Sequence, residues 1–194
     1  MTLIKIADGN SKLGAIPNIS TIPGKDCGNC SACVKGCYAV KFYKMYPNVR
    51  AAWDMNSNAA HTDREGFFAG VREYLVSKNP KWFRWHVSGD ILDQAYLDEM
   101  KAIAKDFPAV GFLAFTKMHH LDFGKTPKNL TIIASMWPGL ELPKNVKKLP
   151  KAWMQDGTEA RVPEDAIPCP GRCDQCMMCW HLPNLKRDVV FEKH

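Results

Sequence analysis

Eight cysteines fall into two tight groups toward opposite ends of the chain, with none between them. The first group reads Cys27-x2-Cys30-x2-Cys33-x3-Cys37, and the second Cys169-x3-Cys173-x2-Cys176-x2-Cys179. The two spacings are near mirror images. Four thiols within about a dozen residues can converge on one metal centre at little loop-closure cost. C-x2-C neighbours make poor structural disulfides, and a secreted disulfide scaffold spreads its cysteines along the chain. The expected chemistry is therefore metal ligation by all eight residues.

The spacing favours iron–sulfur over zinc. A [4Fe–4S] cube takes four thiolates, and x2, x2, x3 is the ferredoxin-type run. Here Tyr38, not proline, follows the run. In two-cluster ferredoxins the fourth cysteine crosses to the other cube, and mirror-image runs permit that exchange. One [4Fe–4S] cluster shared between the groups is the minimum, and two fit the cysteine count. A four-thiolate zinc site holding the chain ends together is the alternative.

The elements that must carry these ligands read as α/β. Leu3 to Ile6 reads as a first strand, and Gly9 to Gly24 as a loop delivering the first cysteine group. Tyr38 to Met45 and Asn48 to Ser57 read as helices separated at Pro47. Thr62-x-x-Glu65 has the form of a capping box before Phe67, Phe68, Val71, Tyr74 and Leu75 at helical spacing, with Asn79-Pro80 as the stop. Strands are expected at Trp82 to Val87, Val110 to Phe115, Leu130 to Ala134, Ala152 to Met154 and Val189 to Phe191. A helix capped by Asp93 and ended by Pro108 lies between the first two of these. Strand–helix–strand order with apolar strands indicates a parallel sheet. The expectation is one domain over residues 1–194: an incomplete (β/α) barrel-like parallel sheet, with N- and C-terminal cysteine-rich loops on its carboxyl-end face.

In such sheets ligands sit beyond the carboxyl ends of the strands. The residues expected there are Ser88, Gly89 and Asp90, then Thr116 and Lys117, then Ser135. Asp90 could take an amine and Lys117 a carboxylate or phosphate. The bland alternative is a turn and helix cap. His86 reads as a buried, hydrogen-bonded core residue, and His119-His120 as solvated. His181 lies close enough to the last cysteines to replace one.

The net charge of +6 permits nucleic-acid binding without arguing for it. Lys144, Lys147, Lys148 and Lys151 form a proline-interrupted basic stretch, read first as a solvated loop and second as a phosphate-backbone patch. Trp82-Phe83-Arg84-Trp85 looks like a base-stacking stretch with a cation, but alternation puts one face into a sheet core. No segment approaches the roughly 20 apolar residues of a membrane span, and residues 1–15 lack a secretory signal pattern. A cytoplasmic protein is expected.

Several segments together resemble the phage and prophage family called gene product eighty-eight. They are Cys33-x3-Cys37-Tyr38-Ala39, Phe83 to Asp90, Thr116-Lys117, Asn129 to Ser135 and Cys176-x2-Cys179-Trp180. The resemblance implies a phage-associated origin, hence the host cytoplasm, and says little about activity. A wider likeness is to radical S-adenosylmethionine enzymes. It implies a partial barrel, a cysteine loop after the first strand, and a turn like Ser88-Gly89-Asp90 holding the cofactor's methionine amine. Those enzymes use C-x3-C-x2-C and leave one iron open. The first run here offers four ligands instead, whereas Cys169-x3-Cys173-x2-Cys176 has their spacing. Three functions follow: a redox or regulatory iron–sulfur protein with a redox partner or host protein, a small radical S-adenosylmethionine-like enzyme, or a zinc-stabilised nucleic-acid-binding module.

Overall fold

The computed structural model describes residues 2–28, 36–137, 143–155 and 161–192. Cys30 and Cys33 lie outside the described residues. Seven strands form one parallel sheet. They are β1 (Asn18–Ile19), β2 (Trp82–Trp85), β3 (Gly111–Thr116), β4 (Leu130–Ser135), β5 (Lys151–Gln155), β6 (Ile167–Pro168) and β7 (Val189–Glu192). Their order is β1-β2-β3-β4-β5-β7-β6, an open sheet that does not close into a barrel.

One face carries Phe83, Trp85, Phe112, Ala114, Leu130, Ile132 and Ala134 in a buried cluster. Helices α1 (Tyr38–Met45), α2 (Pro47–Thr62) and α3 (Arg64–Lys78) connect β1 to β2, and α4 (Gln94–Asp106) connects β2 to β3. Phe67, Phe68, Val71 and Leu75 of α3, and Tyr96, Leu97, Met100 and Ile103 of α4, complete that cluster. Full burial of each large side chain contributes roughly 1.5–3 kcal/mol. Helix ends follow local chemistry. Asp63 caps α3 by accepting from the Gly66 amide at 3.0 Å, and Asn79 ends it at φ 42°. The cap is Asp63 and not the expected Thr62, which is the last residue of α2. Asp93 caps α4 through the Tyr96 amide at 2.9 Å and also holds Arg64 bidentately at 2.9 and 2.8 Å.

The other face carries Leu113, Ile133, Ala152 and Val189. Leu13, Ile16, Ile167, Trp180 and Leu182 cover it. β6 and β7 are parallel neighbours, so their connection must cross a face of the sheet. That connection is the second cysteine segment. It is not an open loop: it winds into α5 (Cys173–Cys176), a 3-10 turn at Met178–Trp180 and α6 (Leu182–Leu185). Left-handed Met177, at φ 52°, separates the first two.

Two strand expectations are corrected. Leu3 to Ile6 is not a strand. It runs beside α2, where Asn56 accepts from the Lys5 amide at 2.7 Å and donates to the Lys5 carbonyl at 2.8 Å. The first strand is Asn18–Ile19, inside the segment read as a loop. Two-residue strands such as this one and Ile167–Pro168 exist through their neighbours' pairing, which no local pattern announces.

Candidate metal centre

The second cysteine group is anchored at three points. The Cys169 amide donates to the Val190 carbonyl at 2.8 Å, and the Cys173 amide to the Lys12 carbonyl at 2.8 Å. Trp180 is the third anchor: its indole N–H donates to the Gly111 carbonyl at 3.1 Å, and its own carbonyl accepts from the Thr131 hydroxyl at 3.0 Å. Its ring packs on Trp82 with centroids 5.7 Å apart. Gly111 leaves room for this, since a Cβ there would lie 3.5 Å from the Trp180 ring and 2.3 Å from that of Trp82. These contacts hold Cys169, Cys173, Cys176 and Cys179 around one small cavity, lined also by Pro170, Arg172, Met177, Met178 and Trp180. Burial pushes the Cys173 thiol above its ordinary pKa, and that of Cys179 up to about 12.

The first group begins at the carboxyl edge of the sheet. Cys27 accepts a long contact from the Gly24 amide at 3.4 Å. Burial raises its pKa, with Asp90, Lys117 and Cys37 all within electrostatic reach. Cys27 therefore lies near the strand-end residues Asp90 and Lys117. The second group lies across the sheet's second face, where Cys169, Cys173 and Cys179 pack against the apolar cluster.

Tyr38 is within electrostatic reach of both groups, and Arg84 of the second. The Tyr38 hydroxyl donates to the Val87 carbonyl at 2.6 Å. Cys37, Cys27, Cys173 and Arg84 all act on its charge. Arg84 is half-buried, and its guanidinium sits 4.2 Å from the centroid of Phe115. Burial lowers its pKa, while Tyr38, Cys173, Cys179 and Cys169 pull it back up. His181 stacks edge-on against Trp82 at 5.8 Å, beside the last cysteines.

The donor set suits an iron–sulfur cluster or zinc in kind: soft thiols, one cavity and cations nearby. Among the described residues no three His, Cys, Asp or Glu side chains already converge as a metal group. The four thiols thus stand around a cavity and not on a closed tetrahedron.

The expected small-molecule residues do come together, but their polar groups are largely engaged with the protein. The Asp90 carboxylate accepts from the Ile91 and Lys117 amides, both at 2.7 Å. Burial raises its pKa against those bonds. The Ser88 hydroxyl donates to the Thr21 carbonyl at 3.0 Å, and Gly89 turns at φ 82° against Thr21. The Thr116 hydroxyl accepts from the Met118 amide at 3.0 Å. The Lys117 ammonium lies 5.8 Å from the Trp137 ring centroid. Together they tie the ends of β2 and β3 beneath Cys27.

Three further expectations change. His86 is buried, but among the described residues neither ring nitrogen has a hydrogen-bond partner. Its φ of 53° turns the imidazole to the helix side, 5.5 Å from the Tyr96 ring, and burial pushes its pKa down to about 3. His119 is buried, not solvated, while His120 is exposed. In the basic stretch, the Lys151 ammonium is turned inward, donating to the Lys147 and Leu149 carbonyls at 3.0 and 2.9 Å. Sequence reasoning placed Arg84 only as a cation beside a base-stacking aromatic stretch. The signal was strand alternation, which sends Arg84 opposite to Phe83 and Trp85.

Among the described residues no helix is long and apolar enough to cross a membrane. No solved structure matches the chain. The chain is 29% identical over 122 residues to the Gene 88 protein of Mycobacterium phage D29, covering 57% of this chain and 51% of that protein. It is 30% identical over 122 residues to the Gene 88 protein of Mycobacterium phage L5, with the same coverage. The chain thus spans about half the length of the curated relatives it matches. The family model described as Gene product 88 matches residues 3–182, and the chain belongs to that family.

Proposed function

We propose that this protein is a phage-associated iron–sulfur protein of the host cytoplasm, with a redox or regulatory role. Its centre would be a [4Fe–4S] cluster held by cysteines of both groups. One observation carries the reading: the two ends of the chain meet where the Cys173 amide donates to the Lys12 carbonyl at 2.8 Å, and Tyr38 lies within electrostatic reach of Cys27, Cys37 and Cys173. Proximity across some 130 residues of sequence is what a shared cluster requires. Cys27, Cys30, Cys33 and Cys37 would supply ligands from one side, and Cys169, Cys173, Cys176 and Cys179 from the other. Bound metal would also contribute to folding by clamping the two ends. A redox partner or host protein would exchange electrons with the centre.

The radical S-adenosylmethionine alternative needs a carboxylate free to hold the cofactor's amine. Asp90 already accepts two backbone amides, which weighs against it. The zinc-stabilised nucleic-acid reading rests on the lysine stretch, where Lys151 is engaged internally.

The test is metal and acid-labile sulfide per chain on protein purified without oxygen. About four irons and four sulfides are expected for one cube, and about eight of each for two. Serine at Cys173 and Cys179 should lower both together. Zinc without sulfide would overturn the proposal.

A further inference from the structure

Arg84 carries a guanidinium on the second face of the sheet, paired in register with Leu113 of β3. Its Nε donates to the Trp85 carbonyl at 3.2 Å, and its plane lies over Phe115. Among the described residues no carboxylate forms an ion pair with it. Guanidinium groups stay charged throughout the physiological range. Taking that charge partly out of water without an anion is costly. Phe115, on which the Arg84 guanidinium lies, packs against the same apolar cluster as Cys169, Cys173 and Cys179, and Tyr38 and these thiols all act on the arginine's charge.

The neighbouring cations are placed differently. Arg172 is engaged with Asp174 at 3.1 Å. Lys12 acts on Cys173 from over the Phe191 ring, 4.8 Å from its centroid. Lys117 lies beside Cys27, where Asp90 opposes it. Arg84 thus acts on three of the second-group thiols with no carboxylate partner among the described residues, whereas Arg172, which lines their cavity, has its charge paired with Asp174.

We infer that Arg84 is the resident counter-ion of the cysteine centre: it stabilises the anionic cluster and raises its reduction potential. This rests on the iron–sulfur reading. A cube ligated by four thiolates is anionic, and reduction adds one more negative charge to it. A fixed positive charge nearby therefore favours the reduced form over the oxidised one. At an effective dielectric of about 20 and a separation of about a nanometre, one unit charge changes that balance roughly tenfold.

The experiment reconstitutes the full chain without oxygen as wild type, Arg84→Lys and Arg84→Gln. Iron, sulfide and midpoint potential are measured for each. All three are expected to fill. Arg84→Gln should then show a reduced-to-oxidised ratio about tenfold lower at fixed potential, a midpoint about 59 mV more negative for one electron. Arg84→Lys should stay near wild type, because the charge is kept. Filling by Arg84→Lys but not by Arg84→Gln would support the same role through assembly. A filled Arg84→Gln cluster with the wild-type midpoint overturns the inference and leaves the iron–sulfur reading standing. Failure of both variants to fill also overturns it, since shape and not charge would then matter. A wild type that takes up neither iron nor sulfide overturns the reading, and the inference with it.

Discussion

His86→Asn should remove a distinct part of the protein's acid sensitivity. In the folded chain the imidazole is held at a pKa of about 3, against 6.5 for an ordinary histidine, because burial penalises its cation. Between those values the unfolded state binds a proton that the folded state refuses. Stability from this group is therefore complete above about pH 6.5 and is lost as the pH falls toward about 3. At about pH 5 the unfolded imidazole is bound roughly thirtyfold in favour of the proton, while the folded one is nearly proton-free. The loss from about pH 7.5 to about pH 5 is then about 2 kcal/mol. Asparagine is the right replacement because it tolerates the left-handed backbone that His86 adopts at φ 53°. It cannot titrate. Urea unfolding of both proteins, followed by tryptophan fluorescence in reductant at matched metal content, gives four free energies. The wild type should lose about 2 kcal/mol more than the variant between the two pH values. His119, also depressed by burial, is present in both proteins and cancels. Equal losses would refute the reasoning, because the folded imidazole would then be taking up its proton normally.

Two substitutions test the supports beneath the cysteines. Gly89→Ala forces a side chain onto a φ of 82° and places its Cβ 1.9 Å from the Thr21 hydroxyl. It should cost more than about 2 kcal/mol in urea unfolding, and a cost under about 0.5 kcal/mol would contradict the crowding seen there. Trp180→Phe keeps the ring on Trp82 but leaves the Gly111 carbonyl without its indole donor. A loss of about 1–3 kcal/mol is expected by the same measurement, and unchanged stability would show that this anchor is dispensable.

Much of the frame was legible because its signals are local. Pro47, Asn79-Pro80 and Pro108 interrupt backbone hydrogen bonding wherever they stand, so helix limits near them could be read directly. The apolar runs at 111–116 and 130–135 are buried on both faces, which is what makes them read as continuous strands. The site was legible in kind through cysteine spacing. Its form was not: the second group reads as a loop, yet it is wound into short helices that lie across the sheet. His86 shows the same limit at one residue. A left-handed histidine has no mark in its residue type, and its backbone turn alone puts the imidazole among aromatic rings.

By itself, the sequence determined the chemistry on offer: eight thiols in two mirror-spaced groups and an α/β order of elements. Those are matters of residue type and period, which act over a few positions. Tertiary structure alone decided that Tyr38 is within electrostatic reach of Cys27, Cys37 and Cys173, that Arg84 lies on the sheet face that the second group covers, and that Asp90 is bound to backbone amides. These depend on which strands pair and on which face a crossover runs, and contacts distant in sequence settle both.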